Sequence, residues 1–488
     1  MKFSLGLSLL LAAAATLAAA QSVAGSFAGD LRNFVSTPAP PGYEQALADH
    51  IAGELQPLAP QRDDMGDVMV TLSPAAGATS APLLLVAPLD EPGYVVSGIS
   101  PQGYLRLQRL PTRGRLPLLN ALASAQAVRV GTKSGGWIEG VVTGLSVHLQ
   151  PGRTQSPNPD DIDNMYVDIG ASSPAEVTAA GVGILSPVAL ERQLYTMAGG
   201  EQLGFGVGDR YGAAVLMEAL RRLAGGAPSR SIMVAFVTQQ WVGGRGLARV
   251  REWLASNHET PSAVVMVGWP EPARRPGAAA AGGDLQYWTA PVTDANTPAA
   301  RLDAAGLQAL LAKVETALGE SAAAAQLPSA APLAPPPLPP RPSTAPSPEQ
   351  ILQALIAQYG VDPAEAPVRQ TIERLLPPWA QPITDEAGNL VLHWGDSGAQ
   401  AAKLLFIAHQ DEIGFQVQAI EPDGTLRLRT RGGGDLDFYL GHPILVHSAN
   451  GMHPGALELP DGWQAPGFSL TARRGGAAAG GRGAGGRG

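Results

Sequence analysis

The 488-residue chain contains no cysteine. That excludes disulfides, thiolate metal sites and a cysteine nucleophile together. Cationic charge is short: 33 Lys and Arg stand against 42 Asp and Glu, a net charge of -9. No basic surface therefore argues for nucleic acid. No Gly-x-Ser-x-Gly elbow occurs, so a serine hydrolase has no support. The glycines of Gly204-Phe205-Gly206-Val207-Gly208 lack the Lys-Ser/Thr pair that a phosphate loop needs. Beyond residue 20 no apolar run is long enough for a membrane helix. The first twenty residues differ. Lys2, the apolar Leu5 to Leu17 and the small Ala18-Ala19-Ala20 have the pattern of a cleaved export signal. A secreted or periplasmic protein, free of the membrane after cleavage, is expected.

What is present is a globular composition, 45% apolar, in a chain long enough for two to four domains. Leu47, Ile51 and Leu55 recur at helical spacing, as do Ala214, Leu216, Met217 and Leu220. Apolar runs at Leu83–Ala87, Ile232–Val237 and Ala263–Val267 read as buried strands. Such strands alternating with helices imply an α/β sheet flanked by helices. Short strands between 116 and 149 (Ala127–Val130, Trp137–Val142, Ser146–Leu149) suggest an inserted small β-barrel-like domain. The expected organisation is a signal peptide at 1–20, an α/β domain at 21–115 plus 165–318, and the β insertion at 116–164. A Pro/Ala-rich linker follows at 319–348, then a partial second unit at 349–470 and a disordered Gly/Ala/Arg tail at 471–488. Asp160-Asp161-Ile162-Asp163 reads as a solvated acidic loop or a hard-cation site. His442, His447 and His453 read as scattered surface histidines.

The most informative stretch is Leu404-Leu405-Phe406-Ile407-Ala408-His409-Gln410-Asp411-Glu412-Ile413-Gly414. Its apolar run reads as a buried strand, and a His and an Asp two apart at its end share one side. A neutral imidazole can bind a divalent metal while a carboxylate orients it. The stretch also occurs earlier: Asp90, Glu91, Gly93 and Gly103 match Asp411, Glu412, Gly414 and Gly424, each 321 residues apart. There, Pro88 stands where His409 does. An internal duplication is expected.

Five segments carry a family resemblance. They are Pro41-Gly42-Tyr43-Glu44; Gly66-Asp67 with Gly388-Asn389; His409 to Gly414; Asp168-Ile169-Gly170-Ala171-Ser172; and Gly208-Asp209-Arg210-Tyr211-Gly212 followed by Val237 to Gly246. In this order they resemble the tetrahedral (glutamyl or deblocking) metalloaminopeptidases of family M42. The resemblance implies an α/β zinc-peptidase-like domain, interrupted by a β-rich domain used in oligomerisation. It also implies two divalent metals, zinc or cobalt, bridged by the attacking water.

By that resemblance His409 is a metal ligand and Asp411 the carboxylate that orients it. The family's other positions fall on Pro88, Gly208, Gln240, Trp241 and Gly268, none of which supplies an anionic ligand or a general base. The implied function is that of an exported, catalytically degenerate homologue that binds peptides or acts as a scaffold. An active aminopeptidase built on His409 and Asp411 stays open beside it. Peptides and further copies of the chain are the partners implied.

Overall fold

The computed structural model describes residues 25–74, 81–110, 119–120, 122–143, 162, 165–223, 228, 230–270, 285–319, 326–395, 404–433 and 439–459. The export signal, the Ser146–Leu149 strand, Asp160, Asp161 and Asp163, and the C-terminal tail lie outside these residues. Two compact units are resolved, Met1–Ala331 with Asp437–His447 and His453–Gly488, and Pro332–Leu436 with Ser448–Met452.

The first unit is built on a six-stranded sheet whose centre is Leu83–Pro88. That strand pairs in parallel with Ile232–Val237 on one side and Ala263–Val267 on the other. Val68–Leu72 runs antiparallel outside Ile232–Val237, and Leu285–Trp288 extends the opposite edge in parallel. The three central strands are apolar at every position because both faces are covered. Leu83, Leu85 and Ala87 pack with the helices Phe27–Ser36, Gln45–Glu54, Val207–Leu223 and Ala304–Leu318. Leu84 and Val86 face the other way, onto Leu247, Val250 and Leu254 of the helix Arg245–Ser256. The period-2 alternation of a strand thus feeds two cores.

Between the central strand and its parallel neighbours the chain forms a closed barrel from Gly93–Ile99, Leu105–Leu110, Ala127–Gly131, Trp137–Thr143, Tyr166–Asp168 and Pro187–Leu190. Its strands therefore come from both sides of the 116–164 segment as well as from within it. Val96, Leu105, Leu107, Val128, Val130, Val142, Val167 and Val188 fill the inside. The Tyr94 hydroxyl is buried there and donates to Asn120 Oδ1 at 3.1 Å.

His442 departs from the surface placement expected of it. It is buried, and its two ring nitrogens each lie 3.0 Å from a carbonyl oxygen, Leu440 and Leu122.

The second unit repeats much of the first unit's geometry. The hairpin Gly414–Ile420/Leu426–Arg431 has the residue pairing of Gly93–Ile99/Leu105–Leu110, and both carry the same irregularity, at Val417/Ala419 and Val96/Gly98. Helices Pro348–Ile356 and Ala366–Leu375 follow one another as Phe27–Ser36 and Gln45–Glu54 do, and Ser347 caps the first of them as Ser26 does.

The Leu404–Ile407 run, expected as a buried strand, is a correction. It pairs with no strand among the described residues, and its four side chains are 79 to 86% exposed. The matching Leu83–Val86 is at most 6% exposed, because strands lie on both sides of it. Nothing described in the second unit plays the part of Ile232–Val237 or Ala263–Val267. Leaving four such side chains in water forgoes roughly 6–12 kcal/mol of apolar burial.

One contact tests the sheet–helix packing. A Cβ at Gly212, on the helix Val207–Leu223, would lie 2.2 Å from the Val267 carbonyl oxygen and 2.8 Å from Gly268 Cα. Gly212→Ala is expected to cost about 3 kcal/mol, the upper end of overpacking penalties, read as a lowered urea midpoint at unchanged slope.

Candidate functional site

The C-terminal ends of parallel strands are where open α/β sheets place their chemistry. Here those ends are Pro88, Val237 and Val267. The chain leaves Val237 in a turn, Thr238 to Trp241, that leads into the helix Arg245–Ser256. Gln239 takes a left-handed φ of 55° in it.

Each of four successive amides in this turn finds a carboxylate. Thr238 N–H donates to Asp67 at 2.7 Å, and the Thr238 hydroxyl to the same oxygen at 2.8 Å. Gln239 N–H donates to Glu44 at 2.8 Å. Gln240 and Trp241 N–H donate to the two oxygens of Asp90, at 2.9 and 2.7 Å. Asp67, Glu44 and Asp90 are all buried. The turn could not satisfy these amides from its own backbone, so buried acceptors must come from elsewhere in the chain.

Beside the turn lies a buried ion cluster. Glu91 accepts from Ala39 N–H at 3.1 Å and pairs with Arg192 and, at 2.9 Å, with Arg210. Arg210 also donates to the carbonyls of Phe34, at 3.2 Å, and Leu89. Arg192 donates to the Leu190 carbonyl at 3.1 Å and lies over the Phe205 ring. Asp209 accepts from the Trp241 indole N–H at 3.2 Å, and the Trp241 ring meets Trp269 edge to face at 4.9 Å.

Burial pushes these carboxyls up. Asp90 is raised to about 8, by desolvation first and then by Glu44, against the two amides and Arg210. Asp67 is raised to about 7 by desolvation, which outweighs its bonds from Thr238. Asp209 is raised to about 7 by desolvation, with Arg210 the largest opposing influence. Glu44 is raised for the same first reason.

The positions expected to hold metal ligands surround this turn. Pro88 ends the central strand and pairs with Val237. A side chain at Gly208 would meet Val292 at 3.2 Å. Gly268 has a φ of 76°, and any Cβ there would lie 2.4 Å from Gly212 Cα, so that strand end has no room for an aspartate. The nearby carboxylates are already engaged: Asp90 by amides, Asp209 by an indole, Glu91 by two guanidiniums. A dication needs several oxygen or nitrogen donors free to replace its hydration. The residues here do not fit a pair of them.

His409 and Asp411 belong to the second unit, at the end of the exposed 404–409 segment. His409 Nδ1 is 3.4 Å from Asp411 Oδ1 and 2.9 Å from the Asp411 carbonyl oxygen. Among the described residues no three His, Asp or Glu side chains come together as a metal site, so these two are not joined by further ligands there. The sequence drew attention to Tyr43-Glu44 and Gly66-Asp67 as motif segments, but it did not indicate that their acids hold the 238–241 turn. Nothing in the sequence pointed to Trp269.

A family model described as M42 glutamyl aminopeptidase matches residues 66–257 and 388–460, more than half of the chain. The glutamyl aminopeptidase of Lactococcus lactis subsp. cremoris is 28% identical over 209 residues, 42% of this chain and 57% of that protein. The lysyl aminopeptidase of Pyrococcus furiosus is 31% identical over 158 residues, 32% of this chain and 42% of that one. The chain spans about half the length of the curated relatives it matches. Among solved structures, aminopeptidase APDkam598 from the archaeon Desulfurococcus kamchatkensis aligns with a TM-score of 0.50 at 18% identity, over 61% of this chain and 95% of that one. The Pyrococcus horikoshii TET1 peptidase, described as able to assemble into a tetrahedron or a large octahedral shell, aligns with a TM-score of 0.50 at 20% identity, over 60% and 99%. At these identities the two structures establish the α/β fold with its barrel.

Two outcomes follow from the turn. Asp67, Asp90 and Asp209 bind their protons more tightly folded than unfolded, where the value is 3.8. Their contribution to stability is whole below that value and is lost as pH rises through 7 and 8. Calorimetric melting at constant ionic strength should therefore occur at a lower temperature at alkaline than at mildly acidic pH, and Asp209→Asn should flatten the slope. Trp241→Phe keeps a ring but removes the donor to Asp209. Denaturant titration at neutral pH should show a loss of about 1–3 kcal/mol, the cost of stranding a buried acceptor.

Proposed function

The chain belongs to the M42 glutamyl aminopeptidase family, and from that premise we propose that it is a catalytically degenerate member that binds peptides without cleaving them. One observation carries the reading. The family's ligand and base positions fall on Pro88, Gly208, Gln240, Trp241 and Gly268, and the carboxylates beside them are held by N–H donors. What remains at the sheet end is half-buried and aromatic, Trp241 against Trp269. Aromatic faces suit the apolar and amino-terminal groups of a peptide. A fold can keep such a surface after its chemistry has gone. Association of copies through the barrel belongs to the same proposal.

A second reading has one observation in its favour, the approach of His409 to Asp411 at 3.4 Å. In it, His409 and Asp411 combine with further residues of this chain or of another copy to form the metal site, and the protein is an active aminopeptidase.

The same experiment separates the two. The purified chain is dialysed against zinc or cobalt, its metal content is measured, and hydrolysis of aminoacyl p-nitroanilides is followed. The degenerate reading expects substoichiometric metal and no aniline release, with tryptophan fluorescence responding to short peptides. Two metals per chain with turnover, both lost in His409→Ala, would establish the second reading instead.

A further inference from the structure

We propose that Glu412 receives the guanidinium of an arginine side chain presented by a peptide segment. The basis is a pair of glutamates with the same backbone anchoring and different company. Glu91 donates its N–H to the Ala39 carbonyl at 3.2 Å and accepts from Ala39 N–H at 3.1 Å through Oε1. Glu412 does the same with Gly360, at 2.9 and 2.8 Å. Glu412 and Glu91 lie 321 residues apart, as do Gly360 and Ala39 and the corresponding residues of the adjoining hairpins. Each glutamate is therefore held by the same two bonds, through its N–H and Oε1.

In the first unit Oε2 of Glu91 meets the Arg210 guanidinium at 2.9 Å. The other acceptors of that guanidinium are the carbonyls of Phe34 and Leu89. Their counterparts at the same spacing are Leu355 and Gln410. Leu355, in the last turn of its helix, accepts from the N–H groups of Ala357 and Gln358. Gly360, Leu355, Gln410 and Glu412 all belong to the second unit.

Among the described residues Glu412 has no ion-pair partner, and it is exposed where Glu91 is wholly buried. The only charged neighbour in sequence is another acid, Asp411. Glu412 thus retains the anchoring of a guanidinium acceptor and lacks the guanidinium. A carboxylate anchored like that of Glu91 suits a planar fork with five donors better than the compact ammonium of lysine. The exposed Leu404–Ile407 run leads directly to this point, so apolar residues beside the arginine are expected to favour binding.

Such an arginine could come from a separate peptide or from the chain's own Arg473, Arg474, Arg482 and Arg487. The chemistry is the same for both. The test uses the full chain and capped pentapeptides with a central arginine, citrulline or lysine between valines, titrated by calorimetry. Arginine should bind at least about tenfold more tightly than citrulline, a difference of about 1.4 kcal/mol. Glu412→Gln keeps an oxygen for Gly360 N–H but removes the charge, and should abolish that preference. Glu421→Gln should leave it intact. Replacing the four tail arginines by glutamine distinguishes the sources: tighter pentapeptide binding marks the tail as the natural occupant, and unchanged binding marks a separate peptide. Equal affinity for arginine and citrulline in the unaltered chain, or a preference that survives Glu412→Gln in a variant with unchanged circular dichroism, would overturn the proposal.

Discussion

Four consecutive amides, Thr238 to Trp241, rest on three buried carboxylates that come from three distant parts of the sequence. Asp67 precedes the strand Val68–Leu72, Glu44 precedes the helix Gln45–Glu54, and Asp90 follows the central strand. The turn can leave the sheet in this conformation only when all three elements are in place. In return, it fixes where each element ends. The same constraint sets the direction of the helix Arg245–Ser256 and hence which side chains cover the second face of the sheet. Stability and site architecture therefore depend on one set of bonds.

That set is electrostatically costly. Carboxyls at this depth lose their hydration, and the raised values of Asp67, Asp90 and Asp209 record the penalty. Amide dipoles and Arg210 recover part of it. Two guanidiniums, of Arg192 and Arg210, face Glu91. Removing one member of such a buried group leaves a bare charge, at a cost of about 3–5 kcal/mol. The sheet end is thus filled by mutually satisfied protein groups. Trp241 illustrates how: its indole N–H is given to Asp209.

Much of this was legible in the sequence. The buried strands, the amphipathic helices, the hairpin at Gly103 and the short barrel strands follow from periodicity and turn residues, which act locally. Pro88 beside His409 was visible because both copies of the stretch are in one chain. The Leu404–Ile407 run was misleading for the opposite reason. Its pattern is that of a central strand, but burial depends on neighbours, and a local pattern cannot report whether any stand beside it. His442 likewise reads as one of several scattered polar residues, although a carbonyl 320 residues away helps to bury it. The roles of Glu44 and Asp67 were out of reach because each is defined by an amide far along the chain.

Protein donors take up the carboxylates at the sheet end. Hydrogen exchange of the amides of Thr238, Gln239, Gln240 and Trp241 tests it most directly, measured on the full chain with and without saturating cobalt. Strong protection at all four, unchanged by the metal, is the expected result. Rapid exchange at these amides, or protection that changes when cobalt is added, would show that the carboxylates are free to bind something else.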